Sequence, residues 1–167
     1  MGFTAIPGGD IWLQIGTTQT PTSGSAVSFT NIPPVKKIRI IVDGVIQTAS
    51  SRQNITFNND TSAIYSFGYT GNVSQISGSV LRDTKLLIGR TSSAVAMFAD
   101  FIIDYANQAC PKLITGSSDS RGANGDGYNS IFGSYNSTLA INRIDLISAT
   151  STFSASNTGT FAIYGAF

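Results

Sequence analysis

Val35-Lys36-Lys37-Ile38-Arg39-Ile40-Ile41-Val42-Asp43-Gly44-Val45 is the stretch from which the fold is read. Ile38, Ile40 and Val42 fall on alternate positions, with Lys37 and Arg39 between them. Successive side chains of a strand point to opposite faces, so this is a β-strand with an apolar face inward and a charged face outward. Asp43-Gly44 then separates two β-branched runs. Both residues tolerate the positive φ of a type I′ turn. The expectation is a hairpin, with the return strand starting at Val45-Ile46.

Outward from this strand the same pattern recurs. Ala26 to Thr30 alternates at period two, and Asn31-Ile32-Pro33-Pro34 ends it, because proline cannot donate to a ladder. Gln53 to Phe57 alternates again and Asn58-Asn59-Asp60 reads as a turn. Ala63 to Tyr69 places Tyr65, Phe67 and Tyr69 on one face. Further strands are expected at Ile11–Ile15, Thr84–Gly89, Lys112–Thr115, Tyr128–Tyr135, Leu139–Ile147 and Thr160–Tyr164, with polar loops at Gly16–Ser25 and Ser117–Gly127. Ala94 to Tyr105 has Val95, Phe98 and Ile102 near helical spacing. Its aromatic and β-branched content and the lack of a capping box favour strand. Roughly ten strands at about 8–15-residue spacing make an antiparallel β-sandwich or barrel. The chain of 167 residues is read as one domain. Residues 1–25 form an irregular arm, or a first strand plus loop, and residues 26–167 the sandwich.

Only 11% of the residues are charged and the net charge is +1. The surface is therefore built from Ser, Thr, Asn, Gln and Gly. Nucleic-acid binding needs clustered cations, and Lys36, Lys37 and Arg39 are too few, so no nucleic-acid partner is expected. No stretch approaches the ~18 apolar residues of a membrane span, and Met1 to Asp10 lacks the pattern of a secretory leader. A protein without a membrane partner, made in a cytosol, is expected.

Catalytic chemistry is sparse. With no histidine, the Ser-His-Asp and Cys-His arrangements are absent, and the single Cys110 reads as a packed thiol. Neither a phosphate-binding loop nor a dinucleotide fingerprint occurs. A non-enzyme without a cofactor is expected. Asp119, Asn124 and Asp126 form an oxygen-rich group that would suit calcium. Their spacing does not match an EF-hand, and turn geometry explains them as well. Tyr69, Tyr128 and Tyr135 are candidates for a contact surface, because tyrosine is enriched at interfaces.

Three stretches carry a resemblance. Ser28 to Val45 is similar to an "SFTNIP-x-YKK-x-R" strand pair ending in "VDG". Ile55 to Tyr65 is similar to "FNGDTG-x-x-Y", with Asn59 where glycine is commoner; asparagine also tolerates left-handed φ. Ile141 to Gly165 is similar to "I-x-x-I … F-x-x-G-T-x-x-LYG" closing strands. Together they resemble a family of small virion structural proteins of tailed bacteriophages. The resemblance implies a jelly-roll-like antiparallel β-sandwich in a virion, assembled in the bacterial cytoplasm. Expected partners are the major capsid protein or other virion proteins, and a host surface glycan is a further candidate. A closed homo-oligomer would cover the sheet edges, and threefold sites on a shell favour a trimer. The leading expectation is a capsid decoration protein that cements the shell. The alternative is a tail or fibre component, either an adaptor or a receptor-binding module.

Overall fold

The computed structural model describes residues 10–71, 78–91, 95–120 and 128–167, without the side chains of 69–71, 78–81, 90 and 91. Twelve strands run through these residues: β1 (Trp12–Gln14), β2 (Ala26–Thr30), β3 (Lys37–Val45), β4 (Ser51–Phe57), β5 (Tyr65–Gly71), β6 (Gly78–Asp83), β7 (Leu86–Thr91), β8 (Met97–Asp104), β9 (Lys112–Ser120), β10 (Asn129–Tyr135), β11 (Arg143–Ser148) and β12 (Thr160–Ala166). There is no helix among the described residues. One sheet has eight strands in the order β1-β12-β3-β8-β9-β10-β5-β6. The other has four, in the order β2-β11-β4-β7. All pairings are antiparallel. The fold is an all-β sandwich.

The chain passes back and forth between the sheets, and its pairings nest. β5 pairs with β6, β4 with β7, β3 with β8, and β2 with β11, so each pair encloses the previous one in sequence. β9 and β10 form a hairpin set between β8 and β5, and β1 and β12 extend the large sheet beyond β3.

Alternation decides what goes inside. Ile38, Ile40, Val42 and Val45 of β3 are buried, as are Met97, Ala99, Phe101 and Ile103 of β8. From the small sheet come Ile55, Phe57, Leu86, Ile88, Ile144 and Leu146. These side chains form one core, and β7 packs across β8, β9, β10 and β5. Burying each large aliphatic side chain contributes roughly 1.5–3 kcal/mol. The interior is graded. At one end Phe57, Tyr65 and Tyr135 form a ring cluster with centroids 5.0–5.9 Å apart. Toward the other end Gln47, Ser51, Gln53, Ser118, Ser120 and Ser148 are buried instead, and Ser51 Oγ accepts hydrogen bonds from Ser148 and Thr150.

Several expectations need correction. Asp43-Gly44 is not a hairpin turn. β3 runs through it to Val45, and β3 and β4 lie in different sheets. Val42 pairs with Ala99 and Val45 with Met97, so two residues of β3 face only Phe98 of β8. That is a β-bulge, with Gly44 supplying the positive φ of 68°. Ser117 to Ser120 is not loop: β9 continues through it, paired with β8 throughout and with β10 as far as Ser118. β6 was not anticipated, while the preference for strand within 94–105 agrees with β8. The turn at Asn58-Asn59 has both residues at positive φ (55° and 58°). The expected strand within Ile11–Ile15 agrees with β1, where Trp12–Gln14 pairs with β12.

Candidate functional site

The outer face of the eight-stranded sheet leaves the aromatic side chains of Phe98 and Phe132 in solvent. Its composition follows from the register. Tyr164, Arg39, Ile102, Thr115, Phe132 and Gly68 lie in one row across β12, β3, β8, β9, β10 and β5. The next row holds Ala162, Ile41, Asp100, Ser117 and Ser130. Beyond it Phe98 faces Asp119. These are the alternate positions to the buried ones, so the strands that build the core also fix this surface.

Two cations on the face, Arg39 and Lys37, pair with carboxylates. Arg39 Nε donates to Asp100 Oδ1 at 2.8 Å and Nη2 to Oδ2 at 2.5 Å, a bidentate pair. Register sets Arg39 opposite Ile102, so the pair is a diagonal one between β3 and β8. Lys37 Nζ donates to Asp10 at 2.8 Å and lies 3.6 Å from Asp104. The hydrogen bonds that Arg39 and Lys37 donate to Asp100 and Asp10 hold both cations further toward their charged forms than usual.

Two open grooves cut the face, of about 260 Å³ and about 290 Å³. The first is bordered by Trp12, Arg39, Asp100, Ile102, Thr115 and Ser117. Ile41, Asp43, Phe98, Asp100, Asp119 and Tyr128 are among the borders of the second. They share Asp100 and Ser117, so they form one shallow trough along β9. Thr115 and Ser117 line its floor with small side chains, while Gly116 between them faces inward, where a Cβ would stand 2.5 Å from the buried Phe101 ring. Phe132 lies elsewhere, with its ring over Gly68 of β5.

Of the residues singled out from sequence, Tyr128 borders the trough and is 57% exposed. Tyr135 is fully buried in the ring cluster and belongs to the core, not to a contact surface. Tyr69 lies in β5 opposite Ile131, and its side chain is outside the described residues. Asp119 sits on β9 rather than in a flexible loop. Asn124 and Asp126 lie outside the described residues. Among the described residues no three His, Cys, Asp or Glu side chains gather. Sequence reasoning missed Trp12, Phe98 and the Arg39–Asp100 pair. The signal was present in part: Arg39 was read as outward, and Phe98, Asp100, Ile102 and Asp104 alternate along β8. Apolar residues on both faces of β8 hid that alternation.

Comparison with known proteins returned no match to a family model, to a curated protein or to a solved structure.

Proposed function

We propose that this chain is a non-enzymatic structural protein of a bacteriophage particle, a decoration protein that binds the outside of the capsid shell as an oligomer. One observation carries the docking part of this reading. At the free edge of the large sheet, Ile11 just before β1, Leu13 within it and Phe167 after β12 leave large apolar side chains in solvent. β1 is only three residues long, so the edge presents side chains more than a backbone template. Such an edge is suited to a second copy or to a shell protein, and a threefold arrangement would close it.

The winding supports the virion reading. Four nested antiparallel pairs divided between two sheets are what a jelly roll requires, here with the β9–β10 hairpin inserted. The resemblance of Ser28–Val45, Ile55–Tyr65 and Ile141–Gly165 to phage virion proteins points the same way. The aromatic trough favours a second reading, a tail or fibre module that binds a host surface.

The test is the copy number of the chain relative to the major capsid protein in purified particles. A decoration protein should be present in hundreds of copies, because many weak contacts add over a shell. Particles lacking it should then lose heat stability. About a dozen copies, as expected of a symmetric tail or collar, would overturn the decoration reading in favour of the second.

A further inference from the structure

We infer that the trough on the outer face of the eight-stranded sheet is a binding site for a neutral oligosaccharide. This goes beyond the structural role proposed above and does not depend on where in a particle the chain sits.

The argument starts from the order of chemistry along the trough. Its centre is polar, with the Arg39–Asp100 pair and the Thr115 and Ser117 hydroxyls. Its ends are aromatic, with Trp12 at one and Phe98 and Tyr128 at the other, the last two 49% and 57% exposed. A protein interface is arranged the other way round, with an apolar centre depleted of charge inside a polar rim. A sugar chain matches what is here. Each pyranose ring has a face of C–H groups that lies on an aromatic ring and an edge of hydroxyls that both donate and accept. A carboxylate and a guanidinium held side by side offer acceptors and donors at fixed spacing. The bidentate pair uses two of the five Arg39 N–H donors, and carboxylate oxygens accept more than one bond.

Charge narrows the ligand class. Among the described residues, Arg39 and Lys37 of the face are both paired with carboxylates. Among the described residues of the face, no unpaired cation attracts a phosphate backbone or an acidic polysaccharide. Asp43 borders the second groove and disfavours an anion further. The floor from Thr115 to Asp119 spans about 13 Å at ~3.3 Å per residue, which suits an oligomer of a few sugars rather than a single ring. Arg39, Phe98, Asp100, Thr115 and Ser117 lie on β3, β8 and β9 and are fixed by the sheet before binding, which limits the ordering cost.

Trp12 is the one tryptophan of the chain and borders the trough, so its fluorescence reports on occupancy. The full chain is run through gels containing dextran, mannan or galactan, and titrated with fragments of each while Trp12 emission is read. We expect at least one of these neutral polysaccharides to slow the chain and change the emission. Phe98→Ala and Tyr128→Ala should each weaken that binding about tenfold, as truncated anchors do. Both side chains are solvent-exposed, and a thermal melt checks that the fold is kept. Phe132→Ala, on the same face but outside the trough, should bind as the parent does. The inference is overturned if no neutral polysaccharide has an effect, if only an acidic one does, or if the Phe98 and Tyr128 variants bind unchanged. Protection of β8 and β9 from hydrogen exchange on assembled particles, without any saccharide response, would assign the face to a protein partner.

Discussion

Tyr65 shows how one side chain ties the core to a turn. Its hydroxyl accepts the Phe57 N–H at 2.8 Å and lies 3.2 Å from the Asp60 carbonyl, to which it donates. Tyr135 donates to Asp60 Oδ2 at 3.2 Å, so both tyrosines hold the Asn58–Asp60 turn from inside. Burial pushes both phenols above the usual tyrosine pKa of ~10. The folded state therefore keeps protons that the unfolded chain loses, so stability falls as pH rises above ~10. Tyr65→Phe leaves the buried Phe57 N–H without its acceptor and should cost about 1–2 kcal/mol at pH 7, read from urea midpoints. The same variant should lose stability less steeply above pH 10 than the parent does. An unchanged alkaline slope would show that Tyr65 is not one of the groups responsible. Tyr65 was legible as core from its alternation with Phe67. Tyr135 was not, because either face of a strand can hold a tyrosine. Spacing held the missing clue: Phe132 and Tyr135 are three apart in one strand, so they face opposite ways, and only one can be core. Lys112 was illegible altogether. It is fully buried, with Nζ donating to the carbonyls of Gln108, Cys110 and Ser137, and no pattern in a sequence announces three backbone acceptors.

The bulge in β3 is where element geometry and chain crossing meet. Gly44 adopts φ 68°, and a Cβ there would meet nothing nearer than Gly159 Cα at 3.8 Å. A Cβ on Gly159 would instead stand 2.3 Å from the Gly44 carbonyl carbon and oxygen. The two glycines therefore have different reasons to be glycine. Gly44→Ala meets only backbone strain and should cost about 1 kcal/mol. Gly159→Ala must push β12 away from β3 and should cost about 3 kcal/mol or more, the range of severe overpacking. Equal melting points for the two variants would refute this assignment. The resemblance noted "VDG" as a turn, and Asp-Gly between β-branched runs does signal one locally. The register of β8, more than fifty residues away, makes it a bulge. β9 teaches the same lesson in reverse. Ser117 to Ser120 has low intrinsic strand preference, yet the β8 ladder holds all of it extended and β10 pairs with Ser117 and Ser118 as well, because a strand inside a sheet is fixed by its partners. The trough was hidden for the same reason, since its floor is this serine-rich segment.

At the scale of the whole molecule, nested pairing makes the fold depend on its last strands. Only the inner pairs close short loops. β2 must find β11, with Ser28 opposite Asp145, and the Ser28 hydroxyl donates to that carboxylate at 2.6 Å across 117 positions. β12 comes last and sits between β1 and β3, pairing with both. It brings Phe161 and Ile163, both fully buried, and Phe161 packs edge-on to Phe153 at 5.7 Å. Without it β1 has no partner, β3 becomes an open edge, and Ile38 and Ile40 lose their neighbours. Loss of two such buried side chains costs about 2–5 kcal/mol each, which together approaches or exceeds the stability of a typical domain. A chain ending at residue 158 should therefore show no cooperative urea transition and should bind a dye for exposed apolar surface. The full chain should unfold in one step and refold on the slow millisecond-to-second scale of proteins dominated by non-local pairing. A cooperative transition in the shortened chain, with a denaturant slope near that of the parent, would mean that the inner pairs β3–β8 and β4–β7 already form a self-sufficient core. In that case β1 and β12 would be an added layer, and the apolar edge they carry could change without harm to the rest of the sandwich.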